Sequence, residues 1–172
     1  RRDAQALVSH ELAHQWFGNI VTLKDWSEAW LNEGFATFLE TIYFEESGQH
    51  ERAAFNRVND QLQGMSADRR ARRPLVYGRW NRDPVELFFS GHIYPKGAAV
   101  LDMMRKIVGD EAFWKACNLY LTKHAYDNVV SEDLRAAFEA ATGHDFKEFF
   151  QQWVYGAGFP ALQISQNYDA NS

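Results

Sequence analysis

The 172-residue sequence predicts an all-α fold, and three observations carry that expectation. Apolar residues recur at i, i+3, i+4 and i+7 through most of the chain, the spacing of one buried helix face. Glycines stand where those runs stop, at Gly18, Gly48, Gly64, Gly109 and Gly143, as helix C-termini favour. Strand-like patterning is confined to residues 20–23 and 161–165.

The elements follow in order. Residues 3–17 read as a helix with Asp3 as N-cap and Gly18-Asn19 as its stop. Residues 20–23 form a short extended link. A second helix starts near Asp25 or Ser27 and runs to Ser47, with Phe35, Phe38, Leu39 and Ile42 on one face. A third runs from His50 to about Gly64, with Phe55, Val58 and Leu62 on one side. Residues 66–84 break the pattern: they hold Arg69, Arg70, Arg72, Arg73, Arg79 and Arg82, with Pro74, Gly78 and Pro84. Such a cluster can grip phosphate or an acidic substrate, but a solvated loop suits the acidic whole better. Pro95 fits the first position of a helix to Val108. Asp110 caps the next, to about His124, with Phe113, Trp114, Cys117, Tyr120 and Leu121 inward. Ser131 caps another, with Leu134, Ala137, Phe138 and Ala141 inward. Asp145 opens a short last helix bearing Phe146, Phe149, Phe150 and Trp153. Residues 1–158 therefore form the helical unit, and 159–172 begin a β-rich segment or a disordered tail.

Composition excludes several classes. An apolar fraction of 46% and an aromatic fraction of 15% are those of a globular domain, and the length suits one domain rather than two. A net charge of −5 gives no reason to expect nucleic acid or an anionic membrane as partner. No stretch approaches the ~20 apolar residues of a membrane span. The single cysteine, Cys117, excludes an intrachain disulfide and a Cys-rich metal site, and sits as a small apolar side chain. The chain starts without Met and without a signal-peptide pattern, so it reads as a piece of a longer polypeptide whose compartment it does not reveal.

The first helix contains His10-Glu11-Leu12-Ala13-His14, the H-E-x-x-H pattern. Two histidines four residues apart leave one helix face a single turn apart, so both rings can reach one ion at about 2.0–2.1 Å. Glu11 is rotated by about 100° from that face, beside the metal rather than aimed at it. There it can take a proton from water held at the ion. A second carboxylate, Glu33 in Trp30-Leu31-Asn32-Glu33-Gly34-Phe35-Ala36, follows His14 by 19 residues. If the two helices fold side by side, Glu33 supplies the third ligand and leaves the fourth position open, as catalytic zinc requires. A third histidine six residues after His14 would mark a different ligand set, but that position is Ile20.

His10 through Asn19 together with Glu33 resembles the aminopeptidase N family of zinc metallopeptidases, within the gluzincins. Tyr94-Pro95-Lys96-Gly97 is similar to that family's Tyr-x-Lys-Gly segment, and the resemblance spans nearly the whole chain. It implies the helical C-terminal part of a thermolysin-like catalytic domain, with zinc held by His10, His14 and Glu33. It also implies Glu11 as base and proton shuttle, and Tyr94 as the phenol that stabilises the oxyanion of a peptide substrate. Without it, Tyr94 would be one of 7 tyrosines and assigned to packing. The resemblance further implies an upstream half that grips the substrate's amino terminus, and a β-rich domain downstream.

Glu40 lies seven residues after Glu33 on nearly the same helix face. It could accept a hydrogen bond from a ligand histidine or be a surface carboxylate. His92 reads as an incidental loop histidine, and His50, His124 and His144 receive no role. Trp16, Phe17, Trp26 and Trp30 are expected to pack around the ligand helices. The competing readings are a non-catalytic helical scaffold that keeps zinc as structure, and a nucleic-acid binder built on the arginine stretch. The first would need a fourth protein ligand, which the sequence does not offer; the acidic balance opposes the second.

Overall fold

The structure is a computed structural model that describes residues 4–78, 84–161, 163–166 and 168. Asp3, the expected cap of the first helix, lies outside the described residues, as do Arg79, Arg82 and Leu162. The elements run α1 (Ala4–Ala13), β1 (Val21–Leu23), a 3-10 turn (Trp26–Glu28), α2 (Trp30–Glu46), α3 (His50–Arg70) and α4 (Pro84–Phe88). A π-helical turn (His92–Lys96) then leads into α5 (Gly97–Val108), α6 (Asp110–Lys123), β2 (Asp127–Val129), α7 (Ser131–Thr142) and α8 (Lys147–Trp153). The fold is all-α, as the periodicity predicts. Among the described residues, no helix is long and apolar enough to cross a membrane.

Helix α2 is the axis of the molecule, packed against α1, α3, the π-turn and α5. Its Trp30, Leu31, Phe35 and Phe38 are buried with Leu101 and Met104 of α5, Phe113 and Tyr120 of α6, and Phe138 of α7. The rings of Phe17 and Phe35 stack with centroids 3.8 Å apart, which fastens the end of the first helical segment to α2. The Trp30 indole donates to Ser131 Oγ at 2.8 Å, and that hydroxyl donates to Glu28 at 2.6 Å. This buried chain ties the start of α2 to the start of α7.

Several boundaries differ from the sequence expectation, each for a local reason. Helix α1 ends at Ala13 rather than Phe17. Beyond it the backbone widens, with amides of Asn19, Ile20 and Val21 reaching the carbonyls of His14, Gln15 and Trp16 at 3.0–3.2 Å. Helix α3 does not stop at Gly64 but continues to Arg70. Gly64 is small for packing rather than for a cap: a Cβ there would lie 3.1 Å from Lys96 Cα. Phe55, Val58 and Leu62 share the outer side of α3 and are exposed, as are Trp16 and Trp26. Residues 127–129, which carry no strand pattern, pair in parallel with β1, Val21 opposite Asp127.

The basic stretch is not one solvated loop. Arg69 and Arg70 end α3, and Arg73 is buried, donating to the Leu87 carbonyl and to Ser90 Oγ while its guanidinium covers the Tyr77 ring. Asp110 is not a cap but pairs with Arg105, and Ser131 is spent on Trp30 and Glu28 while Asp133 accepts from the Val130 amide. Pro95 does not open α5. A proline lacks the amide for an α-type bond and its ring clashes with the carbonyl four residues back. The wider π-turn accommodates it, and the Gly97 amide reaches the His92 carbonyl instead. Residues 161 and 163–166 adopt no regular secondary structure.

Candidate metal and catalytic site

Helix α1, the turn that follows it and helix α2 bring His10, His14 and Glu33 together, with one ligand atom from each lying within 4.8 Å of the others. Glu33 Oε2 sits 3.2 Å from His10 Nε2 and 3.4 Å from His14 Nε2. Two donors at the Zn–N and Zn–O distances, about 2.05 Å from one ion and separated by a tetrahedral angle, stand roughly 3.3 Å apart. The donor set and its spacing therefore fit a zinc ion. The far nitrogens of both rings are engaged as well: His10 Nδ1 lies 2.7 Å from Glu40 Oε1, and His14 Nδ1 lies 3.0 Å from the Phe17 carbonyl. Hydrogen bonds at Nδ1 turn each Nε2 toward the shared centre and fix its tautomer. The widened turn after α1 thus has a purpose, because it offers the Phe17 carbonyl to His14.

The electrostatics follow from this packing. Burial works against a charged His10 ring, but hydrogen bonds and charge from Glu33 and Glu40 outweigh it and push His10 up to about 9. Glu33 raises His14 too, against the cost of burial. Burial likewise opposes ionised Glu33, yet the two imidazoles hold it down to about 2. Glu33 is thus an anion at neutral pH, the form a metal ligand needs, whereas an ion held here must displace the proton that Glu33 and Glu40 keep on His10.

The cluster opens onto a cavity of about 660 Å³ whose walls include His10, Glu11, His14, Glu33, Glu40, Asp60, Phe88, Phe89 and Tyr94. Glu11 is exposed at its mouth. Tyr94 is half-buried in the π-turn, its ring near parallel to that of His10 with centroids 6.1 Å apart. All six residues singled out from the sequence, His10, Glu11, His14, Glu33, Glu40 and Tyr94, therefore line one cavity.

Sequence reasoning missed a second cluster directly behind Tyr94. His92 is fully buried rather than an incidental loop residue, and it faces Asp68 of α3 together with Lys96. The expected end of α3 at Gly64 obscures the signal. Continued one turn, Gly64, Ala67 and Asp68 fall on one face. Asp60 was also missed. Burial, then the nearby Glu40 and Asp102 carboxylates, push it up to about 8.

A helical body that presents an H-E-x-x-H helix and a carboxylate from the next helix to one cavity has the architecture of a zinc-peptidase helical half. The family model described as "Peptidase family M1 domain" matches residues 1–153. The chain belongs to peptidase family M1. It is 34% identical over 168 residues to the puromycin-sensitive aminopeptidase of Caenorhabditis elegans, covering 96% of this chain and 18% of that protein. It is 36% identical over 163 residues to the glutamyl aminopeptidase of Bos taurus, covering 92% and 17%. Among solved structures, an M1 zinc metallopeptidase from Deinococcus radiodurans, an E323A mutant bound to a Tyr-Ser-Ala substrate, superposes with a TM-score of 0.76. That match has 30% identity and covers 94% of this chain and 35% of that one. The chain thus spans less than a fifth of the length of these curated relatives.

Proposed function

We propose that the polypeptide containing this chain is a zinc-dependent aminopeptidase, and that His10, His14 and Glu33 hold the metal. The observation that carries this reading is the convergence of the three donors, with Glu33 Oε2 3.2 and 3.4 Å from the two Nε2 atoms, near the separation of two zinc ligands. Among the described residues the cluster has no fourth His, Cys, Asp or Glu donor, so the geometry favours an open site over a structural one.

When bound, zinc supplies a Lewis acid that polarises the scissile carbonyl and acidifies water. Glu11, exposed at the cavity mouth, takes the proton from the attacking water and passes it to the leaving amine. Tyr94 donates its phenolic hydrogen to the oxygen on which charge develops, where a fixed donor helps most. Glu40 and the Phe17 carbonyl hold the two imidazoles in register. Restriction to the amino-terminal residue rests on the relatives, which are named aminopeptidases. The grip on the substrate's amino group is assigned to parts of the polypeptide outside this chain.

The test is Glu11→Gln in the complete polypeptide, read by zinc content and by hydrolysis of an aminoacyl amide. Zinc is expected to stay bound while turnover falls by about 100- to 10,000-fold, the range of a general acid–base group. Undiminished turnover would refute the assignment of Glu11.

A further inference from the structure

The segment that carries Tyr94 has ionisable residues two positions to either side, His92 and Lys96. In the π-turn these two leave the face opposite the cavity and enter the interior, where they are 0% and 5% exposed. Both meet the same carboxylate. Asp68, itself 3% exposed, places Oδ1 at 3.2 Å from His92 Nε2 and Oδ2 at 2.8 Å from Lys96 Nζ. These partners hold the Asp68 carboxyl below its ordinary range despite the burial that opposes its charge. A buried ionic trio of this kind is a poor stabiliser, since apolar residues of similar volume often do as well or better. Its distinctive property is direction: two oxygens of one side chain grip both ends of a five-residue turn.

Backbone contacts keep the turn between its neighbours. Gly64, one helical turn before Asp68 on α3, lets Lys96 approach to where a Cβ would stand 3.1 Å from its Cα. On the other side, a Cβ at Gly34 would lie 3.0 Å from Gly97 Cα and 3.3 Å from the Ile93 carbonyl. Gly34 follows Glu33, the proposed carboxylate ligand. The turn is therefore clamped between the helix that bears Glu33 and the helix that bears Asp68, with Tyr94 at its midpoint and facing the cavity.

We propose that Asp68 is a positioning residue for Tyr94: by holding His92 and Lys96 it fixes the π-turn and sets where the phenol stands relative to the metal-ligand cluster. The proposal rests on the reading of Tyr94 given above. Misplacement of a reacting group by about 1 Å can cost about 100-fold in rate.

The test uses the complete polypeptide as wild type and as three variants: Asp68→Asn, Tyr94→Phe and their combination. Asp68→Asn is expected to lower kcat by about 10- to 100-fold with KM within about twofold and zinc content unchanged. In the Tyr94→Phe background the same substitution is expected to cost less than about twofold, because its target is already gone. Equal losses in both backgrounds, or a loss explained by missing zinc, overturn the proposal. If Asp68→Asn fails to fold, His92→Gln and Lys96→Met each release one end of the turn. Their kcat losses must then vanish in the Tyr94→Phe background, and losses that persist there overturn it. Wild-type turnover in Tyr94→Phe alone would refute the oxyanion reading and the positioning proposal with it. A slow Tyr94→Phe beside a fully active Asp68→Asn removes only the positioning proposal.

Discussion

Of the two groups that orient the histidines of the candidate metal site, only one is a side chain, and it can be removed cleanly. His14 leans on the Phe17 carbonyl, whereas His10 leans on Glu40 through a 2.7 Å contact between Nδ1 and Oε1. A hydrogen bond to a charged group contributes roughly 1.5–3 kcal/mol. Loss of such a partner behind a metal-ligating histidine typically weakens metal binding by about 10- to 100-fold. The two figures agree, since a factor of ten corresponds to about 1.4 kcal/mol. Glu40→Ala is therefore expected to raise the zinc dissociation constant by about 10- to 100-fold. Glu40→Gln should do less harm, because its amide oxygen can still accept from Nδ1–H. The assay is competition with a chromophoric chelator at neutral pH on the complete polypeptide. Turnover at saturating zinc serves as a second reading, and should recover far more than affinity does. Zinc affinity within about twofold of wild type in Glu40→Ala would refute the orienting role.

Three further outcomes follow from other parts of the molecule. Asp60, pushed up to about 8, stays protonated in the folded state across a range where the unfolded chain has released the proton, from about 3.8 upward. Folding then binds a proton, so stability falls as pH rises through that range. Asp60→Asn should raise the thermal midpoint at pH 8 and change it little at pH 4; the opposite ordering would contradict the assignment. Gly34→Ala places a methyl 3.0 Å from the Gly97 backbone. It should destabilise by about 1–3 kcal/mol in denaturant titration, with zinc affinity falling too because Glu33 is displaced; unchanged values would show that the helices separate freely. Ser131→Ala strips buried partners from the Trp30 indole and the Glu28 carboxylate. A loss of about 1–3 kcal/mol is expected, and a change under about 0.5 kcal/mol would mean that water replaces the hydroxyl.

What the sequence disclosed depended on how local the governing physics is. The pairing of His10 with His14 is local, set by one turn of backbone that begins in α1 and ends at the residue just after it, so it needed no tertiary knowledge beyond 3.6 residues per turn. Glu33 required only that α1 and α2 lie side by side, and a short link makes that the simplest arrangement. Elements set by long-range partners were hidden. Strand β2 exists because residues 127–129 meet β1, far earlier in the chain, and nothing in Asp127-Asn128-Val129 announces it. Gly64 looked like a helix stop because glycine disfavours helix interiors. Packing against Lys96 overrides that penalty. Ser131 and Asp110 carried cap chemistry in the sequence and spend it on Trp30, Glu28 and Arg105 instead. The exposed apolar side of α3, with Phe55, Val58 and Leu62, obeys helix periodicity while facing away from this core.

The site and the fold are joined at one place, the contact between Gly34 and Gly97. Glu33 stands one residue before the first glycine, and Tyr94 three residues before the second. A Cβ added at Gly34 or Gly97 would lie 3.0 or 2.9 Å from the opposing Cα, so the two backbones meet with no room for a side chain between them. A side chain inserted at this contact would push α2 outward and carry Glu33 from the two imidazoles. Tertiary contact at two residues without side chains thus places the Glu33 carboxylate and the Tyr94 phenol on adjoining backbone segments. The segments from Trp30 to Ala36 and from Tyr94 to Gly97 are distant in sequence, yet this contact joins them into one packed unit. In the proposed mechanism that unit sets a metal ligand on one side of the contact and an oxyanion donor on the other.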